Sequence, residues 1–159
     1  MSPVISIMDP YVEALIWTLD GINFVDISAD VISTSASYGI SNNTPADRVA
    51  TTGRLQFRLN NSTGKYTPGM PGSLSYFTKG GWIFLVFEDV NNVDYHKFCG
   101  HIDNISINVE DETVDVLALD WMDYAAIFPI VIPTILYNQK IEDVVPVIVA
   151  TMPVRQRPT

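Results

Sequence analysis

The sequence predicts a mainly β protein: an antiparallel β-barrel or sandwich-like domain followed by one or two short C-terminal helices. Three observations predict this fold class. Apolar residues recur at every second position over most of the 159 residues, turn-forming residues separate these runs, and helical spacing appears only late in the chain. Residues 1–125 form the predicted barrel-like domain. Residues 126–159 combine a proline-interrupted apolar segment with a short helix and are a candidate for the start of a further domain.

The chain is predicted to begin with a β-hairpin. Leu15 and Trp17 alternate with smaller or polar neighbours, and a second apolar run starts at Val25. Asp20 and Gly21 lie between the two runs, and both residue types tolerate the positive φ angles of tight hairpin turns. The pattern therefore indicates two antiparallel strands joined near Asp20.

Two further strands are predicted before residue 60. In residues 32–40 apolar and small residues alternate with serines, which predicts a long strand with one hydroxyl-rich face. In residues 54–59 leucine and phenylalanine alternate with arginine and glutamine, which predicts a half-buried strand with a basic outer face.

The second half of the β-domain contains a long connection and a change of phase. Residues 60–81 are rich in Asn, Gly, Ser and Pro, and connections of this length are usually functional or ordered by a partner. Residues 82–87 are apolar on both faces, which predicts a central strand. Ile102 and Ile105 have opposite parity, so we expect a β-bulge at residues 103–104 to absorb one extra residue.

Helix is predicted only near the C-terminal end. Asp120 is expected to cap a turn that runs to Ala126, and Asn138 is expected to cap a helix around Ile141–Met152, with Pro146 limiting its length. Little sequence follows this apolar helix to pack against it. We therefore expect the chain to be the front portion of a longer polypeptide.

Composition excludes several classes of protein. The net charge is −9, with 18 acidic against 9 basic residues, which argues against a nucleic-acid grip and against docking on anionic membranes. The single cysteine, Cys99, rules out an intrachain disulfide framework. No secretory signal is predicted near the N-terminus, and no membrane anchor is predicted because prolines interrupt the longest apolar stretch, Tyr124 to Tyr137.

Cys99 and the two histidines are the first candidates for chemistry. Cys99 and His101 lie two apart on a predicted strand and share a face, whereas His96 is expected to point the other way. No third orienting group follows from the spacing, and one cysteine with two histidines does not complete a structural zinc site. A buried structural thiol beside an ordinary histidine is the favoured interpretation.

Acidic residues between 103 and 123 are the second candidates. Asp111, Asp115, Asp120 and Asp123 are considered for a calcium site or an acid–base pair, but the Asp-x-Asp-x-Asp-Gly spacing of a calcium hand is missing. A solvated turn and a helix cap explain them better. We therefore predict no enzyme activity and no cofactor.

Apolar side chains in segments that are not predicted strands allow two interpretations. They either fold back as lids over the core of the chain, or they contact neighbouring subunits, since aromatic and Met side chains commonly anchor interfaces. The candidate partner contacts are Tyr66, Met70, Tyr76, Phe77, Phe128, Ile130 and Ile132.

An ordered set of motifs runs through roughly residues 13–150. The set comprises the first hairpin, the strand at 50–61 ending in Asn60-Asn61, the Tyr66-Thr67-Pro68 loop, the Gly80-Gly81-Trp82 strand start, the strand Lys97 to Ile105, the acidic hairpin, and the segment Leu119 to Tyr124. This order, rather than any single motif, resembles the N-terminal region of bacteriophage tail hub, tail-tip and baseplate proteins.

The resemblance implies a structural module of a virion tail, assembled in the bacterial host cytoplasm. Copies of the barrel-like domain would form a cyclic ring, contact other tail proteins and continue the tail tube for DNA passage, without sequence-specific nucleic-acid binding. An acidic lumen or rim would repel DNA phosphates. The candidate lumen or rim residues are Asp103, Asp111, Glu112 and Asp115.

Two other functions remain open from the sequence. A carbohydrate- or receptor-binding β-sandwich would stack Tyr66, Tyr76 and Phe77 on sugar rings. A small hydrolase is the least favoured alternative, because the sequence contains no catalytic constellation.

Overall fold

Seven antiparallel strands form one sheet in the computed structural model. The model describes residues 12–40, 50–74, 76–88, 91, 93–123 and 140–151. The strands are β1 Val12–Thr18, β2 Val25–Asp26, β3 Val31–Ile40, β4 Ala50–Asn60, β5 Trp82–Glu88, β6 Asp94–Asn108 and β7 Thr113–Asp120. A short 3₁₀ turn, Ser28–Asp30, joins β2 to β3.

The strand order is β2-β1-β5-β6-β7-β4-β3, and the sheet curls into a half-barrel. Antiparallel sheets twist, and they commonly pack one face on the core while the other face meets solvent. The prediction of a mainly β, antiparallel fold is therefore confirmed.

The core lies on the concave side of the sheet and follows the predicted alternation. Leu55, Phe57 and Leu59 of β4 point inward, as do their partners across the ladder in β7. Arg58, between them, is exposed on the convex side. The prediction of a half-buried strand with a basic outer face is confirmed.

The predicted bulge at residues 103–104 is present. Ile102 pairs with Ala118 and Asn104 pairs with Leu117, so Asp103 has no opposing residue in β7. The extra residue turns both Ile102 and Ile105 toward the core.

A second bulge in the same strand corrects the placement of His96. Phe98 pairs with Leu85 and His96 pairs with Val86, which leaves Lys97 as the extra residue. The His96 ring therefore lies 6.2 Å from the ring of Phe84, whose partner across the ladder is Cys99. The expectation that His96 points away from Cys99 is wrong, and Cys99 is exposed rather than buried.

The edge strand β3 also departs from simple alternation. Its register against β4 shifts between Val31 and Ser33, so Ile32 lies in the irregularity and is exposed, while Val31 packs against the core. Thr34 and Ala36 lie opposite the inward residues Phe57 and Leu55, as the sequence pattern predicts.

The first hairpin is confirmed, with a longer loop than a two-residue turn. Trp17 pairs with Val25, and residues 19–24 connect the strands. The Asp20 carboxylate accepts hydrogen bonds of 2.8 Å from the backbone N–H groups of Ile22 and Asn23. These bonds, of which the one from Asn23 has the largest effect, hold the pKa of Asp20 well below its usual range.

The helical predictions are partly confirmed. Asp120 accepts a hydrogen bond of 3.0 Å from the backbone N–H of Met122 and caps a helical turn at 121–123. Helix α1 spans Ile141–Thr151 and continues through Pro146, contrary to the expectation that Pro146 would limit it. An interior proline removes one N–H donor and its ring crowds the carbonyl four residues earlier, yet the helical backbone continues on both sides of Pro146.

Some predicted residues lie outside the described part of the chain. These are Asn138, Ala126 and the candidate partner contacts Phe128, Ile130 and Ile132.

Candidate functional site

The long connection between β4 and β5 is organised by the side chain of Asn61. Its amide oxygen accepts a hydrogen bond of 2.8 Å from the backbone N–H of Tyr66, and its amide nitrogen donates one of 2.8 Å to the hydroxyl of Thr67. The backbone N–H of Asn61 donates to the carbonyl of Glu112. Asn61 is buried, so its hydrogen bonds tie this connection to the β6–β7 turn.

Asp30, in the 3₁₀ turn, ties the same connection to the start of β3. One of its carboxylate oxygens accepts hydrogen bonds from the Tyr66 hydroxyl and, at 2.6 Å, from the ammonium group of Lys65. Burial by itself raises the pKa of Asp30, but the hydrogen bonds from Lys65 and Tyr66 outweigh it and lower the pKa. Burial and the bond to Asp30 raise the pKa of Tyr66.

Two of the four aromatic or Met candidates in this connection complete the core. Tyr66 and Phe77 are 1% and 3% exposed, and their rings lie 5.0 Å apart. The expectation that they contact a partner is contradicted, because the connection folds Phe77 onto Trp17 and Tyr66 onto Phe77 in the core of the chain. Met70 and Tyr76 remain exposed, and Tyr76 is 72% exposed.

The four candidate lumen or rim carboxylates occupy three different settings. Asp103, in the bulge, pairs with Lys79 at 2.8 Å. Asp115 lies on the convex face, where the Arg58 guanidinium contacts both its oxygens at 2.7 and 3.0 Å and lowers its pKa. Asp111 and Glu112 lie exposed in the β6–β7 turn. Ion pairing therefore compensates two of the four charges.

The chemistry considered for Cys99 and His101 gains little support from the geometry. His101 is buried, and its Nε2 atom lies 3.7 Å from a carboxylate oxygen of Asp123. Burial lowers the pKa of His101 despite that neighbour. The pKa of the Cys99 thiol is raised because the surrounding protein partly desolvates the sulfur, although solvent reaches the side chain. A raised pKa keeps the thiol protonated and weakens it as a nucleophile.

The acidic residues considered for calcium are also occupied by protein groups. Asp120 accepts a hydrogen bond of 2.8 Å from the backbone N–H of Gly53 in addition to capping the helical turn, and Asp111 accepts one from Asn108. Within the described ranges, no group of three or more His, Cys, Asp or Glu residues could hold a metal ion.

The convex face carries an aromatic row that the sequence patterns did not single out. Phe24, in the β1–β2 loop, has its ring 6.1 Å from Phe84, and Phe84 lies 6.2 Å from His96. Phe24 is 59% exposed, and Ile22 in the same loop is 78% exposed. The sequence contained one signal for this row, namely the apolar residues in the loop beside the Asp20-Gly21 turn.

The other half of the convex face, over β3, β4 and β7, is polar. A shallow groove of about 550 Å³ is lined mainly by hydroxyl, amide and charged side chains. These include Ser33, Ser35, Gln56, Arg58, Asn104, Ser106 and Asp115. The outer surface is thus divided into an aromatic side and a polar side.

Comparison with known proteins finds no matching family model and no significantly similar curated protein. The resemblance to phage tail proteins therefore stays a prediction from the motifs. Among the described helices, none has the length and apolar character needed to cross a membrane.

Proposed function

We propose that the chain is a structural module of a phage tail tip or hub, and that copies of it form part of a ring that continues the tail tube. The single observation that carries the proposal is the aromatic row on the outer face, in which Phe24 and His96 are exposed and the half-buried Phe84 lies between them. Aromatic side chains grouped on an outer surface are typical of faces that a partner covers.

The residues that carry the family resemblance support a structural role. Asn61 and Tyr66 build the β4–β5 connection, and the bulge at residues 103–104 bends β6. Gly100 allows close strand contact, because a Cβ atom there would lie 2.2 Å from the carbonyl oxygen of Leu119. Each of these residues shapes the backbone, and none forms part of a catalytic arrangement with the described residues.

The acidic β6–β7 turn supports the part of the proposal that concerns DNA passage. Glu110, Asp111 and Glu112 are all exposed in the β6–β7 turn, and the net charge of the chain is −9. This turn is the candidate rim, since Asp103 and Asp115 are compensated by Lys79 and Arg58. A tail assembly with these three carboxylates on its outer surface would contradict this part of the proposal.

The experiment replaces Phe24 with aspartate and measures self-association by sedimentation equilibrium. We expect Phe24→Asp to weaken association, because a carboxylate in a covered aromatic surface is desolvated without a partner. Val109→Asp is the matched control, since Val109 is also exposed and apolar but lies in the β6–β7 turn. Unchanged association of Phe24→Asp, or equal weakening by Val109→Asp, would contradict a role for the aromatic row.

A further inference from the structure

Two clefts flank the exposed side chain of Tyr76. The larger, about 670 Å³, lies between the β1–β2 loop and the β4–β5 connection and is lined by residues that include Trp17, Asn23 and Ser73. The smaller, about 340 Å³, lies beside Tyr66 and Phe77. Ser73, Leu74 and Tyr76 line both clefts, so the clefts adjoin at Tyr76, and we call the pair of clefts the depression.

Tyr76 is held in an uncommon backbone conformation. Its φ angle is +69°, in the left-handed region that disfavours residues with a Cβ atom. Such a conformation is strained for a residue with a Cβ atom and persists where the surrounding structure fixes it. Phe77, the next residue, is buried in the core, and this anchors the backbone that presents the Tyr76 ring to solvent.

The charged groups of the larger cleft are already compensated by protein partners. Asp20 accepts hydrogen bonds from Thr18, Ile22 and Asn23, and Lys65 pairs with Asp30 at 2.6 Å. The Asn23 amide nitrogen donates to Asp20, so the polar groups of this lining that can face a ligand are the Asn23 amide oxygen and the Ser73 hydroxyl. A cleft with this lining favours a neutral ligand that has both an apolar face and hydroxyl groups.

We propose that this depression binds a neutral linear oligosaccharide, with one pyranose ring stacked on Tyr76 and its hydroxyl groups bonded to Asn23 and Ser73. The C–H groups on one face of a pyranose match the flat face of an aromatic ring. A proline-rich peptide fits less well, because such peptides dock in grooves lined by several aromatic side chains. Here Tyr76 is exposed, whereas Trp17, Tyr66 and Phe77 are buried.

The test is a titration of the isotopically labelled chain, followed by backbone amide NMR shifts. The probes are maltohexaose, cellohexaose and chitohexaose, each at millimolar concentration, with decaproline as the peptide probe. We expect one saccharide to shift the amide signals of Asn23, Ser73 and Tyr76 in a saturable way. Absence of such shifts with all three saccharides, or saturable shifts with decaproline alone, would overturn the proposal.

Variants identify the stacking residue. Tyr76→Ala is expected to weaken saccharide binding about tenfold, the equivalent of roughly 1.4 kcal/mol, whereas Tyr76→Phe keeps the ring and the affinity. Met70→Ala is the control, because Met70 is exposed in the same connection but lines neither cleft. Equal affinity of wild type and Tyr76→Ala would overturn the proposal. The saccharide site lies within one chain, whereas the ring requires several copies. Absence of saccharide binding would therefore not contradict the ring, and absence of a ring would not contradict saccharide binding.

Discussion

The hydroxyl of Tyr66 donates a hydrogen bond of 2.5 Å to the carboxylate of Asp30, and the two residues are 36 positions apart in the chain. This contact joins the β4–β5 connection to the 3₁₀ turn before β3. It also fixes the Tyr66 ring over the core, where it packs against Phe77. Removal of the bond therefore tests how firmly the connection is held.

Tyr66→Phe is expected to lower the free energy of unfolding by about 1.5–3 kcal/mol. The substitution keeps the buried ring but removes a donor to a charged acceptor, and bonds of that kind contribute about this much. Urea unfolding at neutral pH measures the effect. Tyr76→Phe is the control and should leave the midpoint unchanged, since the Tyr76 side chain is exposed. Equal stability of Tyr66→Phe and wild type would contradict a stabilising bond.

The same residue predicts a loss of stability at alkaline pH. The pKa of Tyr66 is raised above 10.0 in the folded chain, because burial and Asp30 disfavour the phenolate. The unfolded chain then releases its proton first, so stability is present below pH 10 and is lost as pH rises from there toward the folded pKa. The stability difference between wild type and Tyr66→Phe should therefore shrink above pH 10. A stability difference that stays constant up to about pH 11.5 would contradict the raised pKa of Tyr66.

Asn61→Ala is expected to cost about 2 kcal/mol. Asn61 is buried, and its loss leaves the N–H of Tyr66 without its acceptor, which is the costly case for a buried donor. Asn60→Ala is the matched control, because the exposed Asn60 side chain accepts, from the described part of the chain, a single bond from the backbone N–H of Ser62. Thermal and urea unfolding of both variants provide the comparison, and equal effects would argue against the proposed role of Asn61.

Gly100→Ala is expected to destabilise the sheet by about 3 kcal/mol. The added Cβ would lie 2.2 Å from the carbonyl oxygen of Leu119, and backbone in the middle of a ladder cannot shift cheaply. Gly21→Ala is the comparison: nothing lies within 4 Å of its Cβ position, but its φ of +73° makes alanine cost about 1 kcal/mol. Urea unfolding should rank the two variants in this order, and the reverse order would contradict the packing at Gly100.

The sequence predicts those parts of the fold in which apolar residues recur at every second position of a strand. The bulge at residues 103–104 was visible because apolar residues on both sides mark the two phases. The bulge at Lys97 was not, since its N-terminal neighbours Tyr95 and His96 are exposed and define no apolar phase. The exposure of Ile32 could not be predicted for a related reason. Ile32 has the same parity as Thr34 in the sequence, and only the pairing of β3 with β4 shows that the register shifts between Val31 and Ser33.

The burial of the candidate contact residues was less predictable, because residues in a loop follow no hydrophobic alternation. Tyr66 and Tyr76 look alike in sequence, yet one is buried and the other exposed. The difference arises from Asn61 and Asp30, which lie 5 and 36 positions before Tyr66 and accept hydrogen bonds from its backbone N–H and its hydroxyl. Such long-range contacts appear only when the chain is folded.

Native mass spectrometry at rising protein concentration tests the proposed role in assembly most directly. We expect a discrete closed oligomer, such as a trimer or hexamer, that gains population with concentration and loses it in Phe24→Asp, because a ring closes at a fixed number of copies. A strict monomer at every concentration, or an open ladder of masses that the substitution leaves unchanged, would contradict a ring built through the aromatic row.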